Sequence, residues 1–297
     1  MRLALFGCAL LACATTPPPH QSADGAVVPD AAVVADAAGV SDAAGVFDAP
    51  GVPADADGCG VAGAARGAQR KTITVDGKVR TYVLFVPDQY RPGAPMPLVF
   101  GWHGLGGSGA QFRLAHGLEA AAGGAAIFVY PDGLGQANFG GAPGWDLRPE
   151  GDIHLFDALL AEVEGSYCVD RARVFSTGHS FGGYMTNTLG CLRGGVLRAI
   201  APVAGGLVTT GCETRAMPAW LTHAMNDPVV PFMAGEGARD HWKMTAGCTE
   251  ASHPVEPAGC VAYDGCSAPV QWCVHQAMHA WPPFASAAIW KFFEGLR

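Results

Sequence analysis

Apolar residues along the chain fall into two rhythms. Short apolar runs occupy 79–86, 98–102, 125–130, 173–176, 197–203, 218–223 and 270–274, and each is predicted as a strand. Between several of them lie longer stretches, 110–122, 153–165 and 181–192, predicted as helices. In the second of these, Ile153, Phe156, Leu160 and Val163 recur at helical spacing. A closing helix is expected over 284–293, docked on the sheet. Strands alternating with helices imply βαβ units and a mainly parallel sheet flanked by helices, an α/β architecture.

The first 58 residues follow neither rhythm. Met1-Arg2 and the apolar run behind them read as an export signal over 1–13. It ends in Leu10-Leu11-Ala12-Cys13, which resembles a bacterial lipobox. A lipid on Cys13 would attach the protein to a membrane surface, and an ordinary cleaved signal is the alternative. In 14–58, Asp recurs at 24, 30, 36, 42 and 48 among small residues and Pro. Six-residue repeats occur in β-helices, but Phe47 is the only aromatic here and a solenoid core would stay unfilled. A disordered linker is expected, since too little apolar surface is available to offset chain entropy. A globular domain is expected over 59–297.

Composition changes this picture in two places. The net charge is −8, yet positions 1–58 carry Arg2 against seven aspartates, so most of the acidity belongs to the linker. The remainder is near neutral and shows no basic patch for nucleic acid. Hydrophobic residues make up 49% and charged residues 15%, enough apolar side chain for a sizeable core. Eight of the ten cysteines follow the linker: Cys59, Cys168, Cys191, Cys212, Cys248, Cys260, Cys266 and Cys273. An even number in an exported chain predicts disulfides, with the pairing open. Zinc is the rival, because Cys260, Cys266, Cys273, His275 and His279 crowd together, although no pair has CxxC spacing. No metal or organic cofactor is expected.

The chemistry centres on Gly178-His179-Ser180-Phe181-Gly182, followed by Gly183. A predicted strand precedes it and a predicted helix follows, the context of a nucleophile elbow in an α/β-hydrolase fold. Ser180 is the expected nucleophile. A hydroxyl needs a base, and in this fold the chain order is serine, acid, histidine. The candidates are His241 in helix-like sequence, His253 in a Pro-rich stretch read as a loop, His275 at the end of the last strand, and His279. His279 is favoured because it falls in the loop between the last strand and the closing helix. Asp227, just beyond the strand 218–223, is favoured as the acid over Asp240, which lies in helix-like sequence beside Arg239. The oxyanion would be met by the amides of Phe181 and, in the loop Trp102-His103-Gly104-Leu105-Gly106-Gly107, of Leu105. His103 is read as structural.

Taken in order, His103-Gly104, Tyr167-Cys168-Val169-Asp170-Arg171-Ala172-Arg173-Val174-Phe175, the elbow, Asn226-Asp227-Pro228-Val229-Val230-Pro231 and His279-Ala280-Trp281-Pro282 resemble a known group. It is the extracellular polyhydroxybutyrate depolymerase and feruloyl esterase family, carbohydrate esterases that include acetylxylan esterases. The resemblance runs from about Cys59 to the C-terminus and implies a Ser180, Asp227, His279 triad. Only Asp152 stands where such proteins often carry paired aspartates, and His223-Ala224 replaces a usual His-Gly, which puts the local turn in question. Trp145 and Trp281 flank the inferred site and are candidates for stacking on an aromatic acyl group or sugar ring, or for core and rim positions. A feruloylated plant polysaccharide is the first expected substrate, with polyhydroxybutyrate or acetylated xylan as alternatives. An inactive hydrolase scaffold that binds glycans is the rival of another class.

Overall fold

The computed structural model describes residues 58–296, apart from 62, 64, 213 and 214. The expected signal, Cys13 and almost all of the linker lie outside the described residues.

Ten strands build one sheet. Its centre is six parallel strands: β4 (Ile127–Pro131), β3 (Met96–Trp102), β7 (Val169–His179), β8 (Ala199–Val203), β9 (Ala219–Ala224) and β12 (Val270–His275), adjacent in that order. Their apolar runs are continuous because both faces of a parallel sheet are covered. β4 and β8 are buried at every residue. Antiparallel strands extend both edges: β2 (Lys78–Val86) and β1 (Gly67–Val75) beside β4, β11 (Cys260–Tyr263) and β10 (Ser252–Val255) beside β12. β1 escapes a hydrophobic reading because it alternates exposed and half-buried residues at the sheet edge. It turns into β2 through Asp76-Gly77, both at positive φ, the signature of a tight two-residue hairpin.

Two apolar layers enclose the sheet. α3 (Asp152–Ser166), α4 (Phe181–Leu192) and α5 (Phe232–Thr245) pack on Leu98, Phe100, Ile127 and Val129 through Phe156, Leu159, Met185 and Trp242. α1 (Gly109–His116), α2 (Leu118–Ala122) and α6 (Ala285–Gly295) cover the opposite face, against Val99, Phe128, Tyr130 and Phe175. The closing helix docks as expected: Phe293 stacks on Phe175 with centroids 4.4 Å apart and planes 9° apart. Burying one such ring contributes roughly 2–3 kcal/mol.

Two expectations need correcting. The helix foreseen over 110–122 is broken into α1 and α2 at Gly117, which takes a left-handed conformation (φ 65°) and caps α1. His253, foreseen in a loop, lies in β10 and pairs with Asp264 at 2.8 Å. A small hairpin that the apolar pattern misses, β5 (Leu134–Gln136) and β6 (Ala142–Gly144), forms a separate two-stranded sheet.

All eight cysteines from Cys59 onward are paired: Cys59–Cys168, Cys191–Cys212, Cys248–Cys266 and Cys260–Cys273. The zinc reading fails because its three cysteine sulfurs are bonded to other sulfurs. Four such crosslinks belong to a chain matured in an oxidising compartment. Among the described residues no helix is long and apolar enough to cross a membrane.

Candidate active site

Ser180 stands between β7 and α4, at the carboxyl end of a central strand. Its backbone is forced to φ 57° and ψ −118°, an unfavourable region for a residue with a Cβ. The amide of Ser180 donates to Val203 O at 2.9 Å, tying the turn to the neighbouring strand. Close contacts constrain the glycines around it. A Cβ on Gly183 would meet Val203 O at 2.7 Å, and one on Gly104 would meet the Ser180 Cβ at 3.3 Å.

Asp227 follows β9, and His279 follows β12, so all three side chains rise from carboxyl ends of parallel strands. His279 Nε2 lies 2.7 Å from Ser180 Oγ, and His279 Nδ1 lies 2.7 Å from Asp227 Oδ2. The carboxylate acceptor demands a proton on Nδ1, which leaves Nε2 free to accept from the serine hydroxyl. The Asp227 side chain is fully buried. Burial pushes its pKa up, but the hydrogen bonds from His279 and from the Val229 and Val230 amides outweigh it and hold the carboxyl below its usual range. His223, buried beneath, places Nε2 3.4 Å from Asp227 Oδ2 and 3.0 Å from Val230 O. Ala224 in place of the usual glycine is accommodated: it ends β9 in the core, and Asp227 N donates back to Ala224 O at 3.3 Å.

The motif around Asp227 carries a second device that spacing did not single out. Asn226 donates from Nδ2 to Gln276 O and accepts from Met278 N, both at 3.1 Å. It therefore staples the loop of Asp227 to the loop of His279.

Phe181 is the first residue of α4, so its N–H has no carbonyl four residues earlier in the helix. In the loop after β3, the Gly106 and Gly107 amides bond to Pro143 O (2.7 Å) and Gly104 O (3.0 Å). The Leu105 amide has no partner among the described residues, and its side chain is exposed. This loop is braced by His103. Its Nε2 accepts from Gly133 N at 2.9 Å and its Nδ1 donates to Gly104 O at 2.7 Å. Those partners require a neutral ring, and burial indeed lowers its pKa.

Neither tryptophan stands free. Trp145 is 1% exposed and donates Nε1 to His103 O at 2.8 Å. It is a core brace of the loop, not a stacking surface, because no ligand can reach it. Trp281 is half-buried, with its ring stacked on His116 (4.5 Å, 22°) and its Nε1 donating to Ser286 Oγ at 3.0 Å. The available aromatic surface is elsewhere. Phe139, exposed at the tip of the β5–β6 hairpin, packs edge-on against Phe181 at 5.7 Å. The hydrophobic rhythm gave no sign of it, because the tip is a glycine-rich turn.

The discarded alternatives have other partners. Asp240 is an exposed carboxylate beside Arg239 at 2.8 Å, and His241 packs on Trp242 in α5. His275 accepts from the Ala277 amide at 3.1 Å. Asp152 is a structural ion: it bonds buried Arg80 of β2 and accepts from Asp146 N at 2.7 Å.

No family model matches the chain. It is 36% identical to feruloyl esterase C of Emericella nidulans over 233 residues, covering 72% of this chain and 83% of that protein. It is 32% identical to feruloyl esterase D of Neurospora crassa over 272 residues, 81% of this chain and 90% of the other. Among solved structures, an acetyl xylan esterase from Aspergillus awamori matches with TM-score 0.63 at 14% identity, covering 77% of this chain and 99% of that one. A ferulic acid esterase matches with TM-score 0.55, also at 14% identity, over 77% and 97%. Fold and relatives together define a carboxylic ester hydrolase of the α/β-hydrolase class. Within that class, the chain belongs to the feruloyl esterase family.

Proposed function

We propose that this protein is an exported feruloyl esterase that cleaves its ester through an acyl-enzyme on Ser180. The hydrogen-bonded chain Ser180–His279–Asp227 carries the reading. In the first step His279 Nε2 takes the Ser180 proton as Oγ attacks the ester carbonyl, and the carbonyl electron pair moves to oxygen. The Phe181 and Leu105 amides meet that oxyanion. Asp227 keeps the Nδ1 proton in place and faces the imidazolium. When the tetrahedral intermediate collapses, His279 returns the proton to the leaving alcohol. Water, deprotonated by the same imidazole, then releases the acid from Ser180.

An aromatic acyl group is supported by the names of the relatives and by the Phe139–Phe181 edge contact beside the nucleophile. Export is supported by the four disulfides and by the apolar start of the sequence, and a lipid on Cys13 is the form of attachment the lipobox-like tetrapeptide suggests. The decisive experiment offers methyl ferulate, acetylated xylan and hydroxybutyrate oligomers to purified protein, with a fluorophosphonate probe to label Ser180. Fastest turnover of methyl ferulate is expected, lost in Ser180→Ala. Preference for either other substrate would replace the acyl assignment, and an unlabelled, inactive protein would favour the glycan-binding scaffold.

A further inference from the structure

Both hydrogen bonds on the His279 ring act in the ring plane, at Nδ1 and Nε2. They fix where the ring lies and hold its tilt within the tolerance of two hydrogen-bond angles. Rotation about the line joining the two nitrogens swings both N–H and lone pair off their partners, and a contact on the ring face adds a steric restraint against it. His179, the residue before Ser180, makes that contact: its centroid is 4.9 Å from that of His279, with planes 34° apart. Behind it stand His116 of α1 at 6.1 Å and Trp281 at 6.5 Å. Trp281 lies two residues past His279, and Ser286 of α6, which accepts its indole N–H, donates in turn to His116 O. Two helices and the loop of His279 are thus closed around one imidazole.

That imidazole is a poor choice for packing alone. His179 Nε2 is buried with no hydrogen-bond partner among the described residues, which destabilises a fold. Burial first, then the charges of His279 and His116, push its pKa down to about 3, with His223 adding to the depression and Asp227 opposing it. Those four are the titratable groups around it: one on α1, one on β9 and two on the loops beyond β9 and β12. His179 therefore offers His279 an uncharged aromatic face throughout the neutral range.

We infer that His179 is a positioning residue for the proposed base: its ring face sets the tilt of the His279 imidazole and lies against the imidazolium formed when the Ser180 proton is taken. The inference rests on the acyl-transfer mechanism above. No bond to His179 forms or breaks.

The test compares ring-less variants, His179→Leu and His179→Gln, with His179→Phe, which keeps a ring without nitrogens. Methyl ferulate turnover is followed against pH, beside melting temperature. The ring-less variants are expected to lose kcat about tenfold with KM within about twofold. Without the aromatic face the imidazolium is less stable, so the acid limb of kcat/KM should move down by roughly half a pH unit. His179→Phe should keep both kcat and the acid limb near those of the parent. Leu and Gln variants at parental kcat would overturn the inference, as would a Phe variant as slow as they are, or rate losses that track the melting temperature with the acid limb unmoved. Gln keeps the test open should Leu fail to fold. Parent enzyme that turns over without fluorophosphonate labelling of Ser180 would instead overturn the mechanism, and the inference with it.

Discussion

Gly182, second residue of α4, lies with its α-carbon against the carbonyl oxygen of Trp102 at the end of β3, leaving no room for a Cβ. A Cβ on Gly178 would likewise overlap the carbonyl oxygen of Gly182. The turn that carries Ser180 is therefore a backbone-to-backbone packing problem that only glycine solves. Gly182→Ala is expected to push α4 off β3 and lower stability by about 1–3 kcal/mol. A shift of the order of 1 Å at Ser180 should reduce kcat about 100-fold. Thermal melts with p-nitrophenyl acetate turnover on the same sample will show it, and near-parental activity would refute the packing argument.

The two acidic candidates differ sharply in surroundings. The Asp227 carboxylate is buried with three hydrogen-bond donors on it, whereas Asp240 is an exposed partner of Arg239. Asp227→Asn removes the acceptor that keeps the proton on His279 Nδ1, and a loss in kcat on the order of 10⁴ is expected. Asp240→Asn should stay within about twofold, since exposed ion pairs contribute little. A larger defect at Asp240 would transfer the role.

Buried histidines make stability depend on mild acid. Burial lowers His116 from 6.5 to about 4, and burial, with smaller contributions from the neighbouring histidines, lowers His179 to about 3. The unfolded chain therefore binds protons that the folded chain refuses. Their contribution to stability is complete above pH 6.5 and is lost as pH falls towards 4 and 3. Melting temperature should decline between about pH 7 and 4, and His179→Phe should flatten that decline. A parent profile unchanged across this window would contradict the neutral assignment of both rings.

Cys59–Cys168 closes a loop of 109 residues and fastens the start of the described chain beside β7. Chain entropy alone assigns such a crosslink roughly 4–5 kcal/mol. The double variant Cys59→Ser, Cys168→Ser is expected to shift the urea midpoint down accordingly, with the m-value raised because the unlinked denatured chain exposes more surface. An unshifted midpoint would show that the bond only reports proximity already enforced by the core.

The central strands, the helices α3, α4 and α6 and the three residues proposed as a triad were legible in the linear pattern, because each depends on local order. A buried parallel strand is an apolar run, a helix is a period, and the elbow is a five-residue word between the two. Even Asp227 over Asp240, and His279 over His275, followed from the position of each beyond a strand end.

What the one-dimensional pattern left undetermined are relations between segments distant in sequence. Cysteine partners, the staple from Asn226 to the His279 loop, and the break of one expected helix at Gly117 emerge only on folding. Trp145 looks the same in sequence whether it faces a ligand or the core, and packing placed it in the core. Solvent exposure and ring-on-ring geometry belong to surfaces assembled from several elements at once, so no window of neighbouring residues contains them.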